Sequence, residues 1–350
     1  IDDPAGAARL LDVVEGNLLS MGRFPQILDP ARAELLTQRQ RDEIAAAASL
    51  LDRRAADGRV RLGHGDLHLG NIALLDGQPV PFDCLEFDPE LATADVLYDL
   101  AFLLMDLWAR GLRHGAAVVL NAYLDLRPEE ENGLGLLPLL LSVRATVRAH
   151  VLAAAGDPAA ANGYLDLALA VLERKPLRLI AIGGGSGTGK STLARAIGGD
   201  FGTAPGLRIL RSDVLRKRLA GVPATQRLPA EHYTPAASAR VYDELRRLAT
   251  EALAGGMSVV VDAVSGHPHH RQSLADTADE AGAEFTGIWL ELSEAQRISR
   301  IDGRGPDASD ATAEVARAQT TALVPPGDEW THLAADETAA DRVRDLLIGA

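Results

Sequence analysis

The order of apolar and polar positions divides the chain into stretches of different texture. Residues 31–57 are rich in Ala, Leu, Glu and Arg with apolar positions at helical spacing, which predicts a long helix stopped by Asp57-Gly58. Short apolar runs follow at residues 60–62, 72–75 and 80–82, with Asp76-Gly77 as turn chemistry between the last two. This pattern predicts a strand, a loop and a hairpin. From Leu91 to Glu173 the helical period returns, with Val96, Leu97, Leu100, Leu103, Leu104 and Leu107 on one buried face and breaks expected at Gly111, Pro128, Gly133 and Gly156-Asp157-Pro158. Beyond the charged, proline-ended stretch Glu173-Arg174-Lys175-Pro176, strands are expected at residues 177–182, 207–210, 258–261 and 285–292, with helices from Lys190, from Ala236 and near Arg271. Strands alternating with helices predict a parallel sheet covered on both faces. The expected fold class is α/β, with a mostly helical domain over residues 1–175 and a parallel-sheet domain over 176–350.

Composition supports this division. A length of 350 residues exceeds the roughly 250 at which single cores stop growing. Apolar residues at 47% and charged residues at 24% are ordinary for globular domains. The formal net charge of −14 falls mostly on residues 1–175 and disfavours a nucleic-acid polymer as partner, whereas a small, metal-neutralised substrate is compatible with it. Cys84 is the single cysteine, so an intrachain disulfide and an all-cysteine metal cage are excluded, and a reducing compartment, the cytoplasm, is expected. The most apolar stretch, residues 134–143, contains Pro138, precedes Arg144 and is shorter than the ~20 residues that span a bilayer, so no membrane segment is expected. The chain begins at Ile1 without Met or a signal-peptide layout, which raises the expectation of a fragment.

The clearest chemistry is the run Gly184-Gly185-Ser186-Gly187-Thr188-Gly189-Lys190-Ser191, with a buried-strand pattern before it and Thr192 continuing into a helix after it. Glycines let backbone N–H groups curl around a phosphate, the helix start adds positive potential, Lys190 reaches the β- and γ-phosphates, and the Ser191 hydroxyl can ligate Mg²⁺. ATP and Mg²⁺ are therefore the expected cofactors. The next strand ends in Arg211-Ser212-Asp213, where Asp213 can take the proton of an attacking hydroxyl and Arg216, one helical turn on, can grip an anionic group of the acceptor. Asp262 is a second strand-end carboxylate, suited to metal water or to acceptor binding. Arg297, Arg300 and Arg304 precede or enter a loop containing Gly303, Gly305 and Pro306, an arrangement expected of a lid that closes over the transferring phosphoryl group. The cluster His267, His269, His270 is read as a polar loop leading into a helix rather than a metal site, since Pro268 breaks regular geometry and no cysteine is near.

Over residues 177–349 these parts resemble small P-loop kinases of the gluconate, shikimate, polynucleotide-5'-hydroxyl and zeta-toxin type. The resemblance implies Lys190 and Ser191 on ATP and Mg²⁺, Asp213 as base, and the lid arginines as transition-state stabilisers.

The first half carries a second signature, His64-Gly65-Asp66-Leu67-His68-Leu69-Gly70-Asn71, with Asp83 where the hairpin ends. A loop Asp, an Asn five residues on and an Asp after a hairpin are the parts of a protein-kinase-like C-lobe. The glycines deny His64 and His68 a shared helix face, which argues against a zinc pair. Over residues 30–170 the pattern resembles aminoglycoside phosphotransferases and implies Asp66 as base with Asn71 and Asp83 as Mg²⁺ ligands. Asp83 is followed by Cys84-Leu85-Glu86 rather than a Phe-Gly pair, and residues 1–59 hold no recognisable small nucleotide-gripping lobe. Loss of that lobe by truncation and a degenerate, regulatory remnant both fit. In this order the two halves resemble a bifunctional family of a phosphotransferase-like domain followed by an ATP-binding kinase.

The leading expectation is transfer of the γ-phosphoryl of ATP to a small hydroxyl-bearing molecule at the C-terminal site. The alternatives are a nucleotide-driven switch with little transfer, and a polynucleotide 5'-hydroxyl kinase using Arg211, Arg216, Lys217 and Arg218. Oligomeric state is not legible.

Overall fold

A computed structural model of the chain describes residues 6–86, 89–305 and 307–349. The chain divides into two compact units. The first runs through Leu120 and includes Asn132–Arg174 and Thr203–Pro205, and the second comprises Asn121–Glu131, Lys175–Gly202 and the chain from Gly206 onward.

The first unit opens with α1 (Ala7–Met21) and α2 (Pro30–Ala56). The Asp29 carboxylate accepts from the N–H groups of Ala31 and Arg32, and Pro30 occupies the first turn, so α2 starts where its free donors are met. It stops at Asp57, and Gly58 takes φ +71°. Then come β1 (Val60–Leu62), the hairpin β2 (Ile72–Leu75) and β3 (Gln78–Pro81), α3 (Pro89–Ala92), β4 (Thr93–Asp95) and α4 (Val96–Ala109). They are followed by α5 (Arg113–Leu126), whose last residues count with the second unit, and by α6 (Leu137–Ala154) and α7 (Pro158–Ala170).

Here the structure corrects the sequence pattern in three places. The returning helical period conceals β4, which pairs antiparallel with β1 in the register Val60↔Asp95. The hairpin's second strand begins at Gln78 rather than at residue 80. Gly133 does not break a helix, because it lies inside a 3₁₀ stretch, Pro128–Leu136, that runs directly into α6. That glycine answers a packing demand: a Cβ there would sit 2.3 Å from Leu97 Cδ1 and 2.7 Å from Arg54 Nη1. The Arg54 side chain is fully buried, with Nε and Nη2 on the Asp95 carboxylate at 2.7 and 2.8 Å and Nη1 on Asn132 Oδ1 at 2.7 Å. The helical run Pro128–Ala154 is long and apolar enough by composition to cross a membrane, but most of its apolar window is buried inside the protein, as in a core helix.

In the second unit β5 (Arg178–Gly183) enters the glycine loop and α8 (Lys190–Ile197) leaves it. Next come β6 (Arg208–Arg211), α9 (Ser212–Leu219), α10 (Pro235–Ala254), β7 (Val259–Asp262), α11 (Pro268–Glu280) and β8 (Glu284–Glu291). The chain ends with α12 (Glu294–Asp302), α13 (Ala313–Ala322), β9 (Thr331–Ala334) and α14 (Ala339–Ile348). The five strands form a parallel sheet in the order β6-β7-β5-β8-β9. Residues 179–182 of β5 are fully excluded from solvent, as expected of a central parallel strand covered on both faces. The α/β class is the one the pattern predicts. The edge strand β9 escapes prediction because its four residues alternate between half-buried and exposed.

Candidate active site

The register of the parallel sheet builds the site. Ile182 pairs with Asp262, and Asp262 pairs with Arg211, so three neighbouring strands end side by side at the carboxyl edge where the glycine loop begins. Within the loop Gly187 (φ +85°) and Gly189 (φ +92°) take left-handed backbone that a side chain disfavours. At Gly187 a Cβ would also lie 2.6 Å from the Arg297 carbonyl oxygen, a backbone atom that cannot yield.

Lys190 Nζ donates to the carbonyls of Gly184 and Gly185 at 3.0 Å each. Burial pushes its pKa down, against the upward pull of the Asp262 and Asp213 carboxylates. The Ser191 hydroxyl donates to Asp262 Oδ2 at 2.5 Å. Thr188 Oγ1 donates back to the Gly185 carbonyl at 2.9 Å, and Thr192 lines the same cavity as residues 186–191. This cavity, about 760 Å³, is also walled by Asp213, Asp262, Arg300 and Arg304.

A second cavity of about 730 Å³ is lined by Ser186, Arg216, Tyr233, His267, His270 and Asp310, and also by Asp213. Asp213 thus faces both spaces. Its pKa is raised, first by burial and then by the Asp262 charge, while a hydrogen bond with Ser309 and the charges of Lys190 and Arg211 act in the opposite direction. Arg216 donates to the His232 carbonyl at 2.6 Å and lies 4.8 Å over the Tyr233 ring. Asp262 borders only the first of these two cavities.

The three arginines expected of a lid sit in different surroundings. Arg297 lies buried against the glycine loop, donating to the Ala316 carbonyl at 3.1 Å and to Thr320 Oγ1 at 2.5 Å; it lines neither of these two cavities but borders a further one with Gly185, Thr188 and Arg300. Arg300 donates to the carbonyls of Thr188 at 3.3 Å and Ala335 at 2.8 Å. Arg304 is exposed and reaches the Ser309 carbonyl at 2.9 Å. Pro306 of the expected lid loop lies outside the described residues. Of the basic run after Asp213, Lys217 is buried and donates to Asp310 at 2.5 Å, and Arg218 sits 3.6 Å from Glu131, so neither side chain is free to track a phosphate backbone.

Several groups at the site carry no sequence signal. Asp310 accepts from Lys217, from the Leu228 N–H at 2.9 Å and from the Tyr233 hydroxyl at 2.5 Å, and these bonds hold its pKa low against the upward push of burial. Gln319 Oε1 accepts from the Ser186 N–H at 2.7 Å. Asp307 grips Arg211 with both oxygens at 3.0 Å. Asp307, Asp310 and Gln319 follow the arginine segment without a motif. The sequence marks Arg211 as a strand end and as part of the basic run, with no signal for its carboxylate partner.

In the first unit, Asn71 Nδ2 donates to Asp66 at both its carbonyl (2.9 Å) and its carboxylate (3.0 Å). The loop is pinned by Asp99, which accepts from the N–H groups of His64 and Gly65, and by Asp106, which accepts from that of Leu69. The hairpin returns to the loop: the Phe82 N–H donates to the Asn71 carbonyl at 2.9 Å and the Leu85 N–H to the His64 carbonyl at 3.0 Å. Asp83 lies between these contacts, exposed, with φ +60°. His64 Nε2 bonds the Phe82 carbonyl and His68 Nδ1 accepts from the Gly70 N–H, so both histidines serve the loop itself. Among the described residues no three His, Cys, Asp or Glu side chains converge as a metal site.

Two family models match the chain in succession. Residues 18–133 match the model of the phosphotransferase enzyme family, and residues 179–326 match a model described as an AAA domain. A phosphotransferase-type segment followed by a P-loop nucleotide-binding domain is thus what the chain carries, in the order its motifs suggest. Among curated proteins, it is similar to uncharacterised proteins of Mycobacterium tuberculosis and Mycobacterium bovis, each 32% identical over 305 residues, or 84% of this chain. The aligned region covers 59% of each relative. Among solved structures, a gluconokinase from Sinorhizobium meliloti 1021 aligns over 51% of this chain and 93% of its own at 23% identity with TM-score 0.36. The Mycobacterium tuberculosis APS kinase in complex with AMPPNP and APS aligns over 49% and 96% at 20% identity with TM-score 0.37.

Proposed function

We propose that the second unit transfers the γ-phosphoryl group of ATP to a hydroxyl of a small molecule. The observation that carries this reading is Asp213, one carboxylate lining both the cavity of the glycine loop and the neighbouring polar cavity. In this reading the triphosphate lies along the loop N–H groups and Lys190, and the acceptor occupies the second cavity with an anionic group on Arg216. Asp213 takes the proton of the acceptor hydroxyl as its oxygen bonds to the γ-phosphorus. The bond from that phosphorus to the β,γ-bridging oxygen breaks, and ADP leaves with the electron pair. Arg300 and Arg304 line the same cavity and in this reading offset charge on the phosphoryl oxygens.

The Ser191 hydroxyl and the Asp262 carboxylate are hard oxygen donors beside the loop and fit Mg²⁺, which when bound would neutralise the β- and γ-phosphates. In the first unit Asp66, Asn71 and Asp83 are proposed as a second, separately testable phosphotransfer constellation.

The test is acceptor-dependent ADP release from the full chain against a panel of polyols, sugars and hydroxy acids. Turnover is expected with at least one acceptor and is expected to be lost in Lys190→Ala and in Asp213→Ala. Undiminished turnover in both variants would overturn the assignment.

A further inference from the structure

Among the described residues, Arg211 is a cationic side chain at the strand ends that the mechanism above does not use. Its position follows from the sheet: it pairs in register with Asp262, one strand away from the strand that feeds the glycine loop. Its guanidinium is about nine-tenths buried, with Nη2 3.2 Å from Ser191 Oγ and 3.0 Å from each Asp307 oxygen, and Nε 3.4 Å from Asp262 Oδ2. Nε makes no hydrogen bond, so toward Asp262 the guanidinium acts as a charge rather than as a directed donor.

Two of these partners, Ser191 and Asp262, are the oxygens assigned to the divalent cation. A guanidinium and a divalent cation cannot both hold them closely, because like charges in a poorly hydrated site repel strongly. The third partner, Asp307, comes from the segment after α12 and grips Arg211 on its own through both oxygens. Arg211 is therefore divided between an inner pair and an outer carboxylate.

We propose that Arg211 sets the metal dependence of nucleotide binding by competing with Mg²⁺ for Ser191 and Asp262, with Asp307 as the carboxylate that draws it off. Arg211 acts through the metal-binding pair and is a positioning residue. The proposal rests on the placement of Mg²⁺ given above. It has a signature opposite to that of ordinary damage: removing the guanidinium makes the metal easier to bind, while metal-free nucleotide loses a nearby positive charge.

Calorimetric titration of the full chain with adenosine 5'-(β,γ-imido)triphosphate, at a series of MgCl₂ concentrations and without metal, reads both effects independently of turnover. In Arg211→Met the Mg²⁺ concentration for half-maximal binding is expected to fall about tenfold, the worth of one charge-assisted hydrogen bond, and metal-free affinity to fall by a similar factor. In Asp307→Asn, which leaves Arg211 more firmly on the inner pair, the Mg²⁺ requirement is expected to rise severalfold. An unchanged or higher requirement in folded Arg211→Met overturns the proposal. If that variant does not fold, an unchanged or lower requirement in Asp307→Asn overturns it. Failure of the wild-type chain to bind the analogue in a Lys190-dependent way would bring down the reading of the site itself. Lys190-dependent binding with an insensitive metal requirement would bring down only the role of Arg211.

Discussion

The two constellations use similar residue types in different surroundings. In the second unit Asp262 ends the buried strand β7 and Asp213 lies in the first turn of α9, just past the end of β6, and both interact with the charges of Lys190 and Arg211. In the first, Asp66 and Asn71 lie on a loop held by side chains that accept its backbone N–H groups, the Asp66 side chain is 36% exposed, and Asp83 is exposed on left-handed backbone. Enclosure makes the difference. A carboxylate that shares a dry wall with another carboxylate is shifted toward the protonated form and poised to exchange a proton. A loop carboxylate open to water gains such a setting only when something covers it.

Substitution at the enclosed carboxylate proposed as base gives the largest expected effect. Asp213→Asn should lower transfer by about 10²- to 10⁴-fold while leaving nucleotide affinity nearly intact, a split that ADP-release kinetics and nucleotide titration resolve. Equal loss of both would make Asp213 a nucleotide-binding group and weaken the contrast.

Next is a contrast between two arginines. Arg297→Met should cost about 1–3 kcal/mol of stability, seen in a denaturant midpoint, because the buried carbonyl of Ala316 loses its charged donor. Arg300→Met should instead depress transfer with a smaller change in stability.

Third is pH. In the proposed reaction the carboxylate is the active form of Asp213, so transfer should rise with pH through a midpoint above the ordinary Asp value of about 3.9. The same upward shift means that the folded state favours the protonated side chain. Its stabilising contribution is full below the unfolded pKa and is lost as pH rises through the folded one. Asp213→Asn should therefore raise Tm at pH 7, with the gain shrinking as pH falls toward the ordinary Asp range. A lowered Tm at pH 7 would show that the ionised carboxylate is held by its partners rather than strained.

The smallest expected effect is at the open site. Asp66→Asn in the full chain should leave Lys190-dependent transfer within about twofold, as surface changes away from a site usually do. A large loss would show that the two constellations are not independent.

Much of the fold was legible because the residues concerned have strong local preferences. Residues 31–57 carry a helical period stopped by Asp57-Gly58, Asp76-Gly77 turns a hairpin, and a continuous apolar run feeding a glycine loop needs no tertiary context to be read. What escaped depends on partners distant in sequence. β4 exists because β1 pairs with it, and Gly133 looks like a breaker until Leu97 and Arg54 are brought against it. The candidate site divides in the same way. Lys190, Ser191, Asp213 and Asp262 could be listed from spacing, whereas Asp307 and Asp310 are drawn in by cations about 95 residues earlier in the chain, Arg211 and Lys217. Arg297 shows the limit of spacing: it groups this residue with Arg300, and only the fold reveals that its side chain packs against the glycine loop and α13.

The strand order β6-β7-β5-β8-β9 also bears on how the protein is made. The strand that carries the glycine loop pairs only with β7 and β8, both of which leave the ribosome later, about 80 and 105 residues on from it. At roughly 5–20 residues per second, the segment from Arg178 to Gly189 spends several seconds or more without either neighbour. During that interval its apolar strand is exposed and its loop has no floor. The part of this sequence that is easiest to recognise is thus among the later parts to acquire its shape, and a stall or truncation before β8 would leave the motif intact in sequence and unformed in space.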